Sequence, residues 1–506
     1  MKPYLSRPSL GLLIMLILEF LSPASAEAKA ISTTVAFTPE LQKAYFEIQK
    51  LRLQGAREII ERNKQTDPNN TFVTYLENYA DLHYLLISED KQAFKSMLAQ
   101  QEKRLEHIDQ LPDNSPYKRF FQAEIRVHWA FAKLKFGSQV SGAWEVIKAY
   151  RLLEENRKRF PDFLPTLKTL GLLHILIGSV PDQYGWVTRI LGLNGSTQQG
   201  LAEIQTVIRQ EPLFRQEAQL INILIHAYTL TLPPSLLNQL LSLTEEQPDN
   251  LLLHFFATTT LIKEARGSQA SKVLAQAPTG KAYISFPFLE YLRGELALQK
   301  GQYAVAKNAY SQFLTRYKGF NYIKDANFKL FIADWLTDQE NPERYLLKVR
   351  STGSAVIEAD QFALRMAGDY EKGILTTENK VLFKARYASD GGYFQDAWDI
   401  LAPIKENNFS SAEARVEYLY RKGRILQKTG QNSQAIPYYQ RAIAAATEQS
   451  AGLGASSALQ LGYIYMGNKD KKQATIYFKK ALSYKKHDYK NSIDNKARAS
   501  LTAMKE

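Results

Sequence analysis

A chain of 506 residues with 64 Lys or Arg against 51 Asp or Glu carries a formal charge of +13. It has no cysteine, which excludes disulfides, thiolate metal sites and a cysteine nucleophile. An apolar fraction of 45 %, with 28 Tyr and 25 Phe, excludes a largely disordered chain.

The first element is a leader. Lys2 and Arg7 precede an apolar run from Leu10 to Leu21, broken only by Glu19. Ser22-Pro23 ends the run, and Ala24-Ser25-Ala26 supplies the small residues of a cleavage site. The run is short of the roughly 20 residues that span a bilayer. Residues 1–26 therefore read as a signal peptide cleaved after Ala26; an uncleaved anchor is the alternative. No cysteine follows the run, which closes the lipoprotein route. The expected location is the bacterial cell envelope, in the periplasm or peripheral to the outer membrane.

Ala28 to Phe37 reads as a linker. Thr38-Pro39 has the form of a helix start, a capping hydroxyl followed by proline at the first helical position. Helical patterns then follow one another, divided by breakers at Asp67-Pro68-Asn69-Asn70, Pro112 to Pro116 (with Ser115 as a cap), Gly137 to Gly142, Phe160-Pro161-Asp162, Glu211-Pro212, Pro233-Pro234 and Gln247-Pro248-Asp249-Asn250. Pro68, Pro161, Pro212 and Pro248 are placed to stop the helices before them. No stretch alternates at period two, so almost no sheet is expected.

Near the end one motif occurs twice. Gly423 lies 12 residues before Ala435, Tyr439 follows 4 later, and Ala442 3 after that; Gly462, Ala474, Phe478 and Ala481 repeat the spacing, offset by 39. Leu419, Leu426, Gly430 and Tyr465 complete the two copies. The pattern resembles the tetratricopeptide repeat, a helix–turn–helix unit of about 34 residues. In such a unit small side chains allow the two helices to cross closely and the aromatic fills the interface. Weaker copies lie upstream: Gly294, Gly301, Ala306 and Tyr310, with Phe313 in place of the last small residue, and Leu170-Gly171, Gly178, Gly200, Ile204 and Val207. The resemblance implies an all-α fold, a right-handed superhelical solenoid of helical hairpins. The expected organisation is N-terminal hairpins over 38–215, then a C-terminal repeat solenoid over 216–506 with its clearest repeats at 415–445 and 455–484.

The copy at 165–210 is interrupted at 179–195. Pro181 starts a short amphipathic stretch in which Trp186, Val187, Ile190, Leu191 and Leu193 are apolar, with Asp182 and Arg189 off the stripe and Gly178, Gly192 and Gly195 at its borders. The order Leu172–Ile177, Pro181, Trp186–Leu191, Gly192-Leu193-Asn194-Gly195 and Gly200-Leu201 resembles eukaryotic proteins of the inclusion-body-clearance family. That likeness implies a helical solenoid and a role near a lipid-bearing structure; those proteins are intracellular, so only the fold is carried over. Tyr322–Asp338 and Lys384–Trp398, with Asp390-Gly391-Gly392-Tyr393 at a turn, resemble exported bacterial repeat proteins without assigned activity. The insertion has two readings, a plug folded onto the solenoid or a surface for a partner or membrane. On the second, Tyr184, Trp186, Val187, Arg189 and Ile190 are the candidate partner-binding residues.

Catalytic patterns are missing from the sequence. His83, His107, His128, His174, His226, His254 and His487 include no pair at i, i+3 or i+4, and there is no His-Glu-x-x-His. His174 stands where the first helix of a repeat has an aromatic and reads as a core residue. No nucleophile elbow or phosphate loop occurs. The adjacent carboxylates Glu154-Glu155 and Glu245-Glu246 diverge by about 100° on a helix, unsuited to a shared acid–base site. Arg421, Lys422 and Arg424 lack the asparagine of a carboxylate clamp. No catalytic residue, cofactor or metal is expected.

The sequence thus points to a non-enzymatic cell-envelope scaffold for a protein partner. The alternative is a peripheral protein on an anionic membrane, using 180–193 and the basic end. Removing Lys2, Arg7 and Glu19 with the leader leaves +12, and Lys469–Glu506 alone holds eleven cations against four acids, a net +7. In an exported protein that charge favours anionic lipid or acidic partners over nucleic acid; the other reading is a solvated helix face. A small-molecule or enzyme site in the concave groove is a remote third reading.

Overall fold

Thr38 and Pro39 open the first helix as their chemistry dictates. The Leu41 amide donates to the Thr38 hydroxyl at 3.2 Å, and proline, with no amide to lose, occupies the first turn. The computed structural model describes residues 33–179, 191–487 and 489–504. The predicted signal peptide lies outside them. Among the described residues the chain forms 24 α-helices and no strand. The one piece of β-structure among them is an isolated bridge between Thr34 and Asn70.

The helices run α1 (Pro39–Gln49), α2 (Leu53–Thr66), α3 (Thr71–Ser88), α4 (Lys91–Asp109), α5 (Pro116–Lys135), α6 (Gln139–Arg159) and α7 (Thr166–Gly178). After the insertion come α8 (Thr197–Gln210), α9 (Arg215–Tyr228), α10 (Pro234–Glu246), α11 (Leu251–Lys263) and α12 (Gly267–Ala275). The central region holds α13 (Phe288–Gln299), α14 (Tyr303–Arg316), α15 (Ile323–Leu336), α16 (Arg344–Ser351) and α17 (Glu358–Glu371). The chain closes with α18 (Asn379–Asp390), α19 (Phe394–Leu401), α20 (Ala412–Lys428), α21 (Asn432–Ala445), α22 (Ala451–Gly467), α23 (Lys471–Ser483) and α24 (Lys490–Ala503).

The breakers act as proline chemistry requires. Helices α2, α6, α8 and α10 each stop two residues before Pro68, Pro161, Pro212 and Pro248, because proline bars the helical conformation in the residue before it. Ser115 does begin α5, but its hydroxyl makes no capping bond. Neighbouring helices pack as hairpins, and each hairpin packs on the next, the arrangement of a helical-repeat solenoid.

Distant regions of the chain also touch. Lys50 pairs with Asp249 at 2.9 Å, the Ile284 amide donates to the Leu51 carbonyl at 3.0 Å, and Arg52 donates to the Tyr283 hydroxyl at 2.9 Å. Further along, the buried Glu89 carboxylate accepts from the Asn321 amide at 2.9 Å and the Asn321 side chain at 3.0 Å. Lys135 pairs with the same carboxylate at 2.7 Å. Burial alone would raise the Glu89 carboxyl; Lys135 and the Asn321 donors reverse that and hold it below its usual range. A third seam joins the α11–α12 turn to the α18–α19 turn, where the Gly267 amide donates to the Gly391 carbonyl at 2.9 Å.

Candidate functional site

The repeat positions meet at the helix crossings. A β-carbon on Gly423 would fall 3.0 Å from the Tyr439 ring, on Gly462 2.5 Å from the Phe478 ring, and on Gly294 2.7 Å from the Tyr310 ring. Ala306, Ala435, Tyr439, Ala474 and Phe478 are fully buried in these interfaces. The Tyr439 hydroxyl donates across this interface to Gln427 on α20 at 2.7 Å. Gly171 sits differently: its added β-carbon would strike the Gly200 carbonyl at 2.7 Å and Ile204 at 2.9 Å. There the two backbones themselves are in contact and no ring intervenes.

The turn inside each hairpin needs one left-handed residue. Gly301 and Gly430 supply it with φ of 74° and 81°, and Lys469 takes the same place in the last hairpin at 61°. That explains why the second copy lacks the second glycine of the first.

With this geometry in place, comparison with protein families identifies the motif. Residues 416–448 and 455–488 match the tetratricopeptide-repeat family. The chain carries tetratricopeptide repeats. No curated protein matches it, so the repeats are the region of the molecule that comparison speaks to.

The tetratricopeptide repeats have clear faces. Of the three neighbouring cations Arg421, Lys422 and Arg424 on α20, Arg421 pairs with Glu417 at 2.9 Å, and the Lys422 ammonium lies 4.4 Å from the centre of the Trp398 ring. Neither is available to clamp a carboxylate. Arg424 bonds Gln460 on the next hairpin at 2.9 Å. Met466 and Ile476 are exposed, next in sequence to Tyr465 and Tyr477, which stack at 5.4 Å.

The candidate residues Tyr184, Trp186, Val187, Arg189 and Ile190 lie outside the described residues, as do Pro181 and Asp182. The borders of the insertion are described. A β-carbon on Gly178 would meet the Thr197 amide nitrogen at 2.8 Å, and one on Gly195 the backbone of His174 at 2.8 Å. The Tyr150 hydroxyl donates to the Asn194 carbonyl at 2.8 Å. The two ends of the insertion are therefore held together on the α6–α7–α8 face.

Buried polar networks are the feature that motif reading misses. Lys168, 1 % exposed, pairs with Glu124 at 2.7 Å and Glu217 at 2.8 Å. Thr169 donates to Glu124, and Tyr45 donates to Glu217 at 2.6 Å. Burial opposes the Lys168 charge, but the two carboxylates outweigh it and raise the affinity of that ammonium for its proton. A ladder of stacked rings, Phe72, Tyr75, Tyr79 and Tyr45, runs into this network at spacings of 5.8, 5.8 and 5.6 Å. The one signal in the sequence is a lone cation in the otherwise uncharged run of α7.

His174 is buried as expected, with Nδ1 2.6 Å from Glu203 and Nε2 3.3 Å from Glu154. Glu155 turns to Arg119 and Arg159 instead, so the adjacent carboxylates do diverge. Among the described residues no group of three or more His, Asp or Glu is placed to hold a metal ion. Among them, too, no helix is long and apolar enough to cross a membrane. A groove of about 780 Å³ runs between α2 and the 281–284 loop; Arg57, Arg62 and Lys281 alternate there with Glu58 and Glu61, leaving no concentration of one charge.

Proposed function

We propose that this protein is a non-enzymatic scaffold of the cell envelope that holds a protein partner through its C-terminal repeats. The observation that carries the reading is the pair of matched repeats at 416–448 and 455–488. Their small and aromatic positions are used internally, and Met466 and Ile476 are left facing solvent. Repeat surfaces of this kind bind extended segments of other proteins. The leader over 1–26 supports export. A photo-crosslinking residue at Ile476, and another at Tyr184 or Trp186, tests the reading in cells. The expected result is one discrete protein adduct from the repeat face, lost when Phe478→Ala loosens the interface. Adducts of this chain with itself alone would contradict it.

A second reading has its own support. Lys471, Lys472, Lys479, Lys480, Lys485 and Lys486 are all exposed on α23 and the segment after it, a cationic face suited to anionic lipid. Flotation with anionic vesicles at low salt tests it; absence of the protein from the lipid fraction ends that reading.

A further inference from the structure

Where the third seam closes, four cations from three separate helices converge. Lys263 ends α11, Arg424 and Lys428 stand one turn apart on α20, and Lys496 lies on α24. The seam that brings α11 to this place is set by backbone contact. Gly392 has a φ of 81°, and a β-carbon there would collide with the Ala265 carbonyl. Between these elements is a pocket of about 240 Å³, lined by Lys263, Arg424 and Lys428 together with Ser389 and Gln299.

None of the four cations has a carboxylate partner among the described residues. Arg424 bonds the neutral Gln460, and Lys263 donates to the Ala227 carbonyl and lies 4.4 Å from the Tyr228 ring centre. Glu264 is the counter-charge the three lysines share. Asp390 also lines the pocket and pairs with Arg386 at 3.6 Å. The imbalance has a cost. Burial, then Lys496, hold the Lys263 ammonium down to about 8; burial, then Arg424, lower both Lys428 and Lys496. Lys263 and Lys428 are exposed and line the pocket. Gln299, 6 % exposed, adds a neutral polar side chain to the lining.

We propose that this pocket binds a phosphoryl anion carrying more than one negative charge. A single carboxylate is satisfied by one arginine fork, whereas several lysine point charges plus a fork suit a phosphoryl group. The volume matches on the order of eight waters, which fits a small phosphorylated head group or free compound. The inference does not rest on the scaffold reading.

The test uses the full chain and inorganic pyrophosphate, by calorimetric titration and thermal unfolding at constant ionic strength. Pyrophosphate is expected to bind and to raise the unfolding temperature. Arg424→Gln with Lys428→Gln should weaken binding at least tenfold. Lys428→Gln, which leaves the Arg424–Gln460 bond in place, should raise the unfolding temperature without anion, because it removes repulsion; loss of a structural ion pair would lower it. Lys428→Gln alone, at an exposed side chain, gives the binding readout too if the pair misfolds. Lys95→Gln with Lys103→Gln on α4 should leave binding unchanged. Phosphatidic acid vesicles that displace pyrophosphate assign the ligand to a lipid head group, and vesicles that do not assign it to a soluble phosphoryl compound; either supports the proposal. Three results overturn it: no pyrophosphate binding, equal loss in the α4 pair, or citrate binding as tightly as pyrophosphate.

Discussion

The core that runs from Leu41 to Ile225 and the described residues from Leu382 to Ala497 solve the same packing problem in different ways. At the N-terminal end a single continuous core runs from Leu41 to Ile225, and through it passes the Lys168–Glu124–Glu217 network. At the C-terminal end the core breaks into small clusters, one over 382–442, one over 426–464 and one over 455–497. Each spans neighbouring hairpins, and inside the hairpins α20–α21 and α22–α23 a glycine faces a ring. Its buried cations are met locally, Arg421 by Glu417 one turn away and Lys422 by Trp398. The difference teaches that a regular solenoid end and an irregular, polar-stitched end can share one helical architecture. The first adds stability interface by interface; the second depends on pairs far apart in sequence.

The comparison is most directly broken at Lys168. Lys168→Ala leaves Glu124 and Glu217 buried without their cation, and removing one partner of such a network costs about 3–5 kcal/mol. Urea unfolding should show the loss in the N-terminal core. In the repeats the corresponding change is Phe478→Ala, which opens a cavity costing roughly 3–5 kcal/mol, with unfolding confined to the last hairpins.

Glu89 sharpens the contrast through pH. Glu89→Gln removes charge-assisted bonds to Lys135 and Asn321, a loss of about 1.5–3 kcal/mol at neutral pH. The Glu89 carboxyl is held below its ordinary value of 4.5, so the folded chain keeps it ionised where the unfolded chain protonates it. Its contribution is therefore present above about pH 4.5 and disappears as pH falls through the lowered value. The gap between wild type and Glu89→Gln should close on acidification; a gap that stays constant to about pH 3 would show that charge plays no role at this seam.

Gly462→Ala comes next. It forces a methyl group to 2.5 Å from the Phe478 ring, an overpacking worth about 1–3 kcal/mol. Gly423→Ala, at 3.0 Å from Tyr439, should lower the unfolding temperature less. The smallest effect is expected at Arg350, paired with Glu371 in the open. Arg350→Ala should change stability by about 0.2–1 kcal/mol, and less in high salt.

Legibility follows the same division. The repeat interfaces join residues within one hairpin, so Gly423, Ala435 and Tyr439 leave a spacing that can be read directly. So do the proline stops after α2, α6, α8 and α10. Ser115 is readable as a helix start but not in its missing capping bond, because capping depends on side-chain rotation. The seam from Glu89 to Asn321 leaves no periodic trace. Nor does the cation cluster, whose members come from α11, α20 and α24; Arg424 shows its place only once Lys263 and Lys428 are seen to line one pocket with it. The insertion is legible as an interruption of the repeat, and its candidate residues Tyr184 to Ile190 lie outside the described residues.

Hydrogen exchange across the whole chain, measured on wild type, Lys168→Ala and Phe478→Ala, tests the contrast between the two ends most directly. A core continuous from Leu41 to Ile225 and interfaces local to the repeats predict separate responses. Lys168→Ala should deprotect amides over 39–228 and leave 412–483 unchanged, whereas Phe478→Ala should deprotect 412–503 and leave 39–228 unchanged. Loss of protection along the entire chain in both variants would contradict it.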